Sequence, residues 1–436
     1  MPRPTCDTVQ AGGAVKPRIF LDVTRSVGRR WRGRTASGID RVCDAYAEHL
    51  GARANAVLQI RGNAIVLDDA ASGALFGVLD APTTVFRREF ARLLVNPARS
   101  TPAPSAIGGA FYLNVGHSGF DANAHWNWIA RQGLSPLYLL HDLIPITHPH
   151  VTTPRKTARH RERVVRALSG GAGLIANSRA TADALREFAA NEGLPLPPLL
   201  IAPIAGGLPT VRMPVADRER PLFVSVGTIE KRKNHILLLE AWSLLIAWLG
   251  EAAPRLVIAG NWGKGGGPVR DALRRDPGLS RFVEVRCGLD DDQVADLVAG
   301  AQAALLPTSA EGFGMPLIEA LSLKVPVIAN DLPSLREIGQ DIPLFLRGDD
   351  PHAWAAAIMQ MCENGPDRRR QLPMMDRFRA PSWSAHFAAL DAWMRELDAS
   401  PRPTVTLRMT QAGVRRDAIN YRPAGSPPIP GREASC

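Results

Sequence analysis

The regular alternation of short apolar runs with helical stretches constrains the fold of this chain more than any other feature. From Pro221 onward, apolar runs such as LFVSVGT, RLVIAG and AALLPT are each followed by a stretch with the spacing of a helix. Continuous apolar strands separated by helices are typical of a parallel sheet that helices cover on both faces. The pattern therefore predicts a doubly wound α/β domain whose ligand lies at the carboxyl ends of the strands.

The first half of the chain shows a less regular form of the same pattern. IFLDVT, AFYLNVGH, SPLYLLHD and GLIANS have the composition of strands, and helical stretches follow three of them. The Pro-rich stretch Leu194–Pro214 separates the two halves. We therefore predict two Rossmann-like domains that face each other across a cleft.

The same patterns give the expected domain boundaries. We place the first domain at residues 17–205, a linker at 206–220, the second domain at 221–380 and a helix that returns toward the first domain at 381–398. Residues 1–16 and the tail 399–436, which is rich in Pro, Arg and Gly, are predicted to be disordered.

Composition excludes several classes of protein. The 436 residues are 45% hydrophobic and 22% charged, which excludes a wholly disordered, collagen-like or disulfide-scaffold chain. The longest apolar run, Ile236–Leu249, is shorter than the ~20 residues that span a bilayer, and the N-terminus lacks the apolar segment of a secretory signal. The five cysteines are odd in number and scattered, which favours a reduced, cytoplasmic compartment.

Two dense basic clusters stand out in a chain of net charge +10, at Arg25–Arg34 and Arg155–Arg166. Both fit an anionic membrane surface, a phosphorylated substrate or nucleic acid, and both equally fit a solvated basic face. No nucleic-acid-binding motif accompanies them, so we predict no nucleic-acid partner. The candidate contacts to an acceptor or to the inner face of the cytoplasmic membrane are Arg30, Arg32, Arg155, Arg159 and Arg163.

The segment ALLPTSAEGFGMPLIEALSLKVPVIA carries the most chemical information. A strand ends at Pro307, a short Gly-containing loop follows, and Pro316 opens a helix. Such a loop and helix N-terminus offer backbone amides to an anion such as a diphosphate. Glu311 on the loop and Glu319, expected in the first helical turn, suit paired sugar or ribose hydroxyls. The alternative is that Glu319 only complements the helix dipole and that the loop is an ordinary βα turn.

Glu311 and Glu319 form an E-x7-E motif, and EGFGMPLIEALSLKVPVIA resembles the donor-site signature of retaining GT-B glycosyltransferases of the family 4 type. FVSVGTIEKRKNHILLLEAW resembles the opening strand and basic donor loop of that family. LYLLHDLIPITHP and LIANSRATADAL resemble the end of its acceptor domain. The likeness covers roughly residues 17–397 and includes bacterial mannosyl- and rhamnosyltransferases of surface-polysaccharide assembly. It implies the GT-B fold.

The resemblance implies roles for residues of the second domain. Glu311 holds the donor sugar and supports charge at the anomeric centre, and Glu319 holds the nucleotide ribose. Lys233 matches the basic residue that neutralises the diphosphate. Thr228 stands where the family usually has an arginine, so Arg232 is the candidate for the second positive charge. The residues expected to offer backbone amides are Gly312, Phe313, Gly314 and Met315.

The resemblance also implies roles in the first domain. His141 matches a histidine placed at the donor sugar across the cleft, and Asp142 either orients its imidazole or caps the turn. Gly38 belongs to the loop that approaches the donor phosphate. Arg41 is either a phosphate contact or a solvent-facing helix residue, and the preceding Arg29–Arg34 is interpreted as an unusually basic loop.

Three other motifs suggest different binding sites. Gly263–Pro268 resembles a dinucleotide-binding loop but lacks its third glycine and follows the wrong strand. Asp290–Asp292 resembles a metal-binding D-x-D but is more simply a helix cap. His148 and His150 lie near His141, but prolines break any helical spacing between them. We predict no bound metal and no cofactor.

Taken together, the resemblance implies a retaining enzyme that moves a hexose, expected to be mannose, from a nucleoside-diphosphate sugar such as GDP-mannose. The expected acceptor is a saccharide or a polyprenyl-diphosphate-linked sugar. Two alternatives stay open: a non-catalytic nucleotide-sugar-binding or assembly protein of the same fold, and a phosphorylase or epimerase of that fold.

Overall fold

The computed structural model describes residues 18–60, 63–95, 109–208 and 220–399. These residues form two α/β domains, each built on one sheet with helices on both faces. The predicted fold class, two Rossmann-like domains facing each other, is confirmed. The expectations for residues 1–16, for the tail beyond 399 and for most of the 206–220 linker lie outside the described residues.

The first sheet has seven strands in the order β3-β2-β1-β4-β5-β6-β7. All pairs are parallel except the edge pair β2–β3. The central strands are buried on both faces, which explains their continuous apolar sequences. The strands are β1 (Ile19–Asp22), β2 (Ala54–Ile60), β3 (Asn63–Val66), β4 (Phe111–Asn114), β5 (Ser135–Leu140), β6 (Gly173–Ala176) and β7 (Leu199–Ile201).

Eight helices connect and cover this sheet: α1 (Thr24–Trp31), α2 (Gly38–Leu50), α3 (Asp69–Phe76), α4 (Thr83–Val95), α5 (Asn123–Gln132), α6 (Ile144–Thr147), α7 (Pro154–Gly170) and α8 (Arg179–Asn191). Several of these helices begin after a residue whose hydroxyl or carboxylate caps the helix N-terminus. Ser37 and Asp40 form a capping box at α2, Thr153 caps α7 and Ser178 caps α8.

The second sheet has six parallel strands in the order β10-β9-β8-β11-β12-β13. They are β8 (Leu222–Val226), β9 (Arg255–Ala259), β10 (Val283–Arg286), β11 (Ala303–Leu306), β12 (Val327–Asn330) and β13 (Leu344–Leu346). The helices of this half are α9 (His235–Leu249), α10 (Gly267–Arg275), α11 (Pro277–Ser280), α12 (Asp291–Ala299), α13 (Met315–Ser322), α14 (Pro333–Gly339), α15 (Pro351–Cys362), α16 (Pro366–Met375) and α17 (Trp383–Ala399).

Helix α9 and the residues that follow it, His235–Ala252, form the one helix in the described ranges with the length and apolar composition to cross a membrane. Seven side chains of α9, including Trp242, are buried. Phe223 of β8 meets the Trp242 ring edge-on, with 5.9 Å between centroids. One side of α9 therefore packs in the core of the second domain, whereas Trp248 near its end is exposed.

The last helix, α17, packs on the first domain. His386 bonds to the Tyr46 hydroxyl (2.7 Å), and the Asp391 carboxylate accepts from Arg53 (2.5 Å). Gly173 of β6 lies against the Trp393 ring so closely that an added Cβ would stand 2.5 Å from it. The chain thus crosses from the second domain back to the first at its C-terminal end.

The Pro-rich stretch 194–214 was predicted to separate the two halves of the chain, but part of it belongs to the first domain. Leu199–Ile201 forms β7, which pairs in parallel with β6 at the edge of the first sheet. The stretch reads as a linker because its prolines flank a strand of only three residues. The structure also contains β2, β3, α3 and α4, which the sequence analysis did not identify.

Candidate functional site

The candidate site lies where the loops after β5 and β11 meet, at the carboxyl ends of the two sheets. A Cβ added to Gly312 would stand 2.4 Å from the His141 carbonyl oxygen, so only glycine allows this approach of the two domains. The Gly312 carbonyl accepts hydrogen bonds from the Ser178 hydroxyl (2.8 Å) and the Thr181 hydroxyl (3.2 Å). The second-domain loop is therefore anchored to the first domain.

The same loop leads directly into α13. Gly314 precedes the helix with a φ of +104°, a conformation that glycine adopts without strain. Met315 is the first helical residue, and its sulfur lies 3.2 Å from the position of a Cβ on Gly38, the first residue of α2. Two helix N-termini therefore meet across the cleft, which favours an anion there. Phe313 is buried in the core, so only its backbone is available to a ligand.

Glu311 binds both neighbouring cations of the basic loop. Its Oε2 accepts from Lys233 Nζ (2.6 Å) and from Arg232 Nη1 (3.0 Å). Burial alone would raise the pKa of Glu311, but the charges and hydrogen bonds of Lys233 and Arg232 outweigh it and lower this pKa to about 2. Glu311 is therefore a carboxylate throughout the physiological pH range.

The two cations respond differently to the same surroundings. Burial lowers the pKa of Lys233 despite the opposing charge of Glu311. For Arg232, burial acts in the same direction, but Glu311, Glu230 and Asp142 outweigh it and raise the pKa. Arg232 therefore stays positively charged near neutral pH, and its Lys233 neighbour pairs with the same Glu311 carboxylate.

Local backbone bonds hold the basic loop against the Glu311 loop. The Arg232 carbonyl accepts from the Ser309 amide (2.8 Å) and from the Thr308 hydroxyl (3.1 Å). Thr228, on the same basic loop, is exposed, and its methyl group lies against Gly263. Lys233 packs against the preceding residue, Gly227. The structure thus brings Arg232 and Lys233 together with Glu311, and the Thr228 side chain is not among the hydrogen-bond partners of Glu311.

Glu319 is the fifth residue of α13, so the prediction that it lies in the first turn is wrong: the helix begins one residue earlier than expected, at Met315. The Glu319 side chain is buried, and its Oε1 accepts from Arg41 Nη1 (2.8 Å) and from the Gly207 amide (3.3 Å). Burial raises the pKa of Glu319, and Arg41 opposes this rise.

Arg41 is neither solvent-facing nor free for a phosphate in this structure. It reaches from α2 into the second domain and forms ion pairs with Glu319 and Asp291. Sequence reasoning had no means to place it there, because 278 residues separate Arg41 from Glu319.

His141 is a buried neutral histidine at the end of β5. Its Nε2 donates to the Val115 carbonyl (2.8 Å), which leaves Nδ1 as a hydrogen-bond acceptor. Burial lowers the pKa of His141 to about 4, against the effect of that hydrogen bond. The Asp142 carboxylate accepts from the Ile144 amide (3.0 Å), so Asp142 caps the turn and does not orient the imidazole.

The interpretation of Arg29–Arg34 as a basic loop is wrong for its first residues, because Thr24–Trp31 forms helix α1. Acidic partners neutralise most of its arginines. Arg29 pairs with Asp44, and Arg30 with Asp80 (2.8 Å). Arg32 donates to the Gly28 carbonyl (3.1 Å).

The second basic cluster lies on α7. Arg159 and Arg163 both pair with Asp121, at 2.7 and 2.9 Å, whereas Arg155 is exposed in the first turn of the helix. The structure therefore gives this cluster less net positive charge than its sequence indicates.

The three alternative motifs have local structural roles. An added Cβ on Gly266 would stand 2.7 Å from the Ile229 carbonyl oxygen, so this glycine packs against the basic loop. Asp290 caps α12 in a capping box with Gln293. His148 and His150 stand with their ring centroids 5.9 Å apart. Across the described ranges, no group of three or more His, Cys, Asp or Glu side chains is arranged to hold a metal ion.

A second contact between the domains escaped sequence reasoning. The Glu337 carboxylate of α14 accepts from the backbone amides of Arg179 (2.8 Å) and Ala180 (3.1 Å), at the start of α8. It thus adds a cap to a helix of the other domain. The sequence pattern around Ser178 indicates a helix start, but nothing in it points to Glu337.

Comparison with known proteins gives these residues a context. Residues 212–372 match the family model of glycosyl transferases group 1. The serotype-specific mannosyltransferase WbdA of Escherichia coli is 35% identical over 138 residues, which are 32% of this chain and 17% of that protein. The chain therefore aligns with only a small part of this relative.

Solved structures extend the likeness to both domains. HepE of Anabaena, in complex with UDP and glucose, covers 87% of this chain and is itself covered completely, with a TM-score of 0.59 and 12% identity. A sucrose-phosphate synthase of Thermosynechococcus elongatus covers 87% of this chain and is covered to 99%, with a TM-score of 0.58 and 15% identity. At such identity these likenesses show the fold alone, which is the predicted GT-B arrangement.

Proposed function

We propose that the protein is a retaining glycosyltransferase that moves a hexose from a nucleoside-diphosphate sugar to a saccharide or lipid-linked acceptor. The observation that carries this proposal is the Glu311 carboxylate, held ionised by Lys233 and Arg232 on a loop that touches His141 of the facing domain. The match of residues 212–372 to glycosyl transferases group 1 supports it.

In this proposal the positive charges act on the leaving group. The departing diphosphate gains negative charge as the glycosidic bond breaks, and fixed cations stabilise that charge. Lys233 and Arg232 are already held in place by their ion pairs with Glu311. A bound diphosphate can accept hydrogen bonds from both side chains while they also bind Glu311, so neither side chain has to move far. The N-termini of α2 and α13 add a favourable field for the same anion.

Glu311 and His141 are proposed to act on the sugar. The ionised Glu311 supports positive charge at the anomeric centre, and the unprotonated Nδ1 of His141 accepts a hydrogen bond from a sugar hydroxyl. Because two cations hold Glu311, it is a poor nucleophile. We therefore favour front-face substitution, in which the leaving phosphate takes the proton of the acceptor hydroxyl.

Glu319 is proposed to bind the nucleotide ribose. One of its oxygens already accepts from Arg41 and Gly207, and a carboxylate accepts several hydrogen bonds. Ribose hydroxyls therefore either bind the second oxygen or displace Arg41. The role of Arg41 in this proposal is to hold the two domains together at the ribose end of the cleft.

The donor, the acceptor and the compartment are also proposals. The name of the relative WbdA, a mannosyltransferase, supports mannose and hence GDP-mannose as donor, although the solved neighbour HepE holds UDP and glucose. We propose a polyprenyl-diphosphate-linked acceptor used at the cytoplasmic face of the membrane, in surface-polysaccharide synthesis.

A panel of UDP- and GDP-sugars tested by thermal shift distinguishes the donors. A donor present at about 100 times its Kd stabilises the protein by about 2.7 kcal/mol, which is readily measured. NMR of the first product then gives the anomeric configuration, and inversion would overturn the retaining mechanism. If no sugar nucleotide stabilises the protein, the donor site itself is wrong. Binding without any transfer would instead favour the non-catalytic alternative.

A further inference from the structure

One end of the first domain carries a face formed by α1 and α4 that is both basic and apolar. Trp31, the last residue of α1, is 46% exposed, and Leu94 and Val95 at the end of α4 are 47% and 81% exposed. Among the described residues, three of the seven exposed large apolar side chains lie here. A local concentration of this kind marks a surface that binds something.

This α1–α4 face is fixed by packing beneath it. The Trp31 ring meets Phe90 edge-on with 6.1 Å between centroids, and Phe90 stacks on Phe86 at 5.6 Å. The Arg87 Nε donates to the Trp31 carbonyl (2.8 Å). Leu94 follows Phe90 by one helical turn, so it lies on the same side of α4. The exposed apolar side chains are therefore presented by two helices that are locked together.

Arginines are frequent on the elements that present these apolar side chains. The charged residues of α4, of the end of α1 with the turn after it, and of the turn before α4 are six arginines and two acids, namely Arg30, Arg32, Arg34, Arg87, Arg88, Arg92, Asp80 and Glu89. The acids pair with Arg30, Arg88 and Arg92. Positive charge remains in excess, which makes the face complementary to an anionic surface.

The basic helix α7 has a different character. Asp121 pairs with both Arg159 and Arg163, and Glu192 pairs with Arg161. Trp31, Leu94 and Val95 have no counterpart on α7 among the exposed large apolar side chains of the described ranges. Charge and apolar exposure thus coincide on the α1–α4 face and not on α7.

We propose that the α1–α4 face binds the surface of an anionic lipid bilayer. Trp31, Leu94 and Val95 enter the headgroup region, and the arginines, whose apolar stems lie along this surface, contact lipid phosphates. A bilayer presents this combination, with anionic charge outside and apolar volume below. The proposal does not depend on the glycosyltransferase activity.

The face adjoins the cleft between the domains. From Trp31 the chain runs through Thr35, whose hydroxyl accepts from Asn261 of the second domain (3.0 Å), to Gly38 against Met315. Binding at the face therefore holds the mouth of the cleft close to the membrane. A lipid-linked substrate would then need to reach only a short distance out of the bilayer.

Co-sedimentation of the full chain with two kinds of vesicle tests the proposal. We expect binding to equimolar phosphatidylcholine–phosphatidylglycerol vesicles at low salt, release at high salt, and little binding to phosphatidylcholine alone. Leu94→Asp/Val95→Asp and Arg34→Glu/Arg88→Glu should each lower partitioning by at least about tenfold. Melting temperatures of both double variants show that they fold.

The matched controls are Leu196→Asp, at a site that is 42% exposed, and Arg155→Glu on α7. Both should partition like the wild type. Equal binding to the two vesicle types, no binding to either, or double variants that bind as the wild type does would each overturn the proposal. A loss with Arg155→Glu as large as with Arg34→Glu/Arg88→Glu would overturn it too, because the membrane surface would then include α7.

Discussion

Lys233 and Arg232 share one carboxylate oxygen of Glu311, and this shared contact sets the charge of the whole cluster. Burial lowers the pKa of Lys233, and the negative charge of Glu311 opposes this effect. We therefore expect substitutions of Lys233, Arg232 and Glu311 to have separable effects on binding and on catalysis.

Lys233→Ala should lower kcat more than it weakens donor binding. The lysine is proposed to act on charge that develops only as the diphosphate leaves, so its loss is felt mainly in the transition state. Steady-state kinetics together with donor calorimetry measure both effects. Lys264→Ala, at an exposed lysine of a neighbouring loop, is the control and should change neither. A rise in KM with an intact kcat would show that Lys233 acts only in ground-state binding.

Glu319→Ala should weaken the binding of the sugar nucleotide by about 1–3 kcal/mol, because a ribose loses a hydrogen-bonding partner in a buried polar site. Calorimetry with the donor measures this change. Glu240→Ala, which removes an exposed acid from α9, serves as the control. Unchanged donor affinity in Glu319→Ala would remove this residue from the donor site and leave it only its ion pair with Arg41.

At the scale of elements, the contact of the β11–α13 loop with the first domain depends on one glycine. Gly312→Ala would place a Cβ 2.4 Å from the His141 carbonyl oxygen and 2.7 Å from the Asp142 Cβ. Backbone cannot move aside as a side-chain end can, so the domains must separate locally.

We expect Gly312→Ala to lower the free energy of unfolding by about 1–3 kcal/mol and to reduce activity. Thermal or chemical denaturation measures the first effect. Gly267→Ala is a matched control in the same domain, since no atom lies within 4 Å of its added Cβ. Equal stability of Gly312→Ala and Gly267→Ala would contradict the close approach of the two domains.

The elements that could be predicted from sequence are those buried on both faces. β5 and β11 are continuous apolar runs, and such runs identify parallel strands. β2 was missed because Asn55 and Gln59 interrupt its apolar pattern. Both are satisfied by tertiary partners, Asn55 by Asp69 (2.7 Å) and Gln59 by Asp22 (2.8 Å).

The candidate site divides in the same way. Glu311, Lys233 and the Gly-containing loop carry a local pattern, so sequence reasoning could name them. The partners across the cleft could not be predicted, because Arg41 meets Glu319, and Glu337 meets α8, only once both domains have folded. Contacts between distant segments depend on side-chain direction in three dimensions, which no spacing rule supplies.

At the scale of the whole molecule, buried neutral histidines tie stability to pH. Burial lowers the pKa of seven histidines, to about 3 for His125 and His235 and to about 4 for His141. The others are His117, His148, His160 and His386. The unfolded chain protonates these side chains near pH 6.5 and the native chain does not, so protons favour unfolding as the pH falls.

The free energy of unfolding should therefore decrease from pH 7 to pH 5, by about 1–2 kcal/mol for a fully buried histidine. The raised pKa values of Asp22 and Glu319 act in the opposite direction. Urea denaturation at the two pH values measures the net slope, and His235→Asn should make it shallower. A slope in His235→Asn as steep as that of the wild type would show that His235 is not held neutral.

We propose that the cleft around Glu311 transfers a sugar from a nucleotide. Incubation of the purified protein with labelled GDP-mannose and UDP-glucose and with a bacterial lipid extract tests it most directly, with label counted in the lipid and saccharide fractions. We expect transfer from one of these donors by the wild type and its loss in Glu311→Gln, a variant that keeps the side-chain shape. Transfer by Glu311→Gln at the wild-type rate, or no transfer by the wild type from any sugar nucleotide that it binds, would contradict the claim.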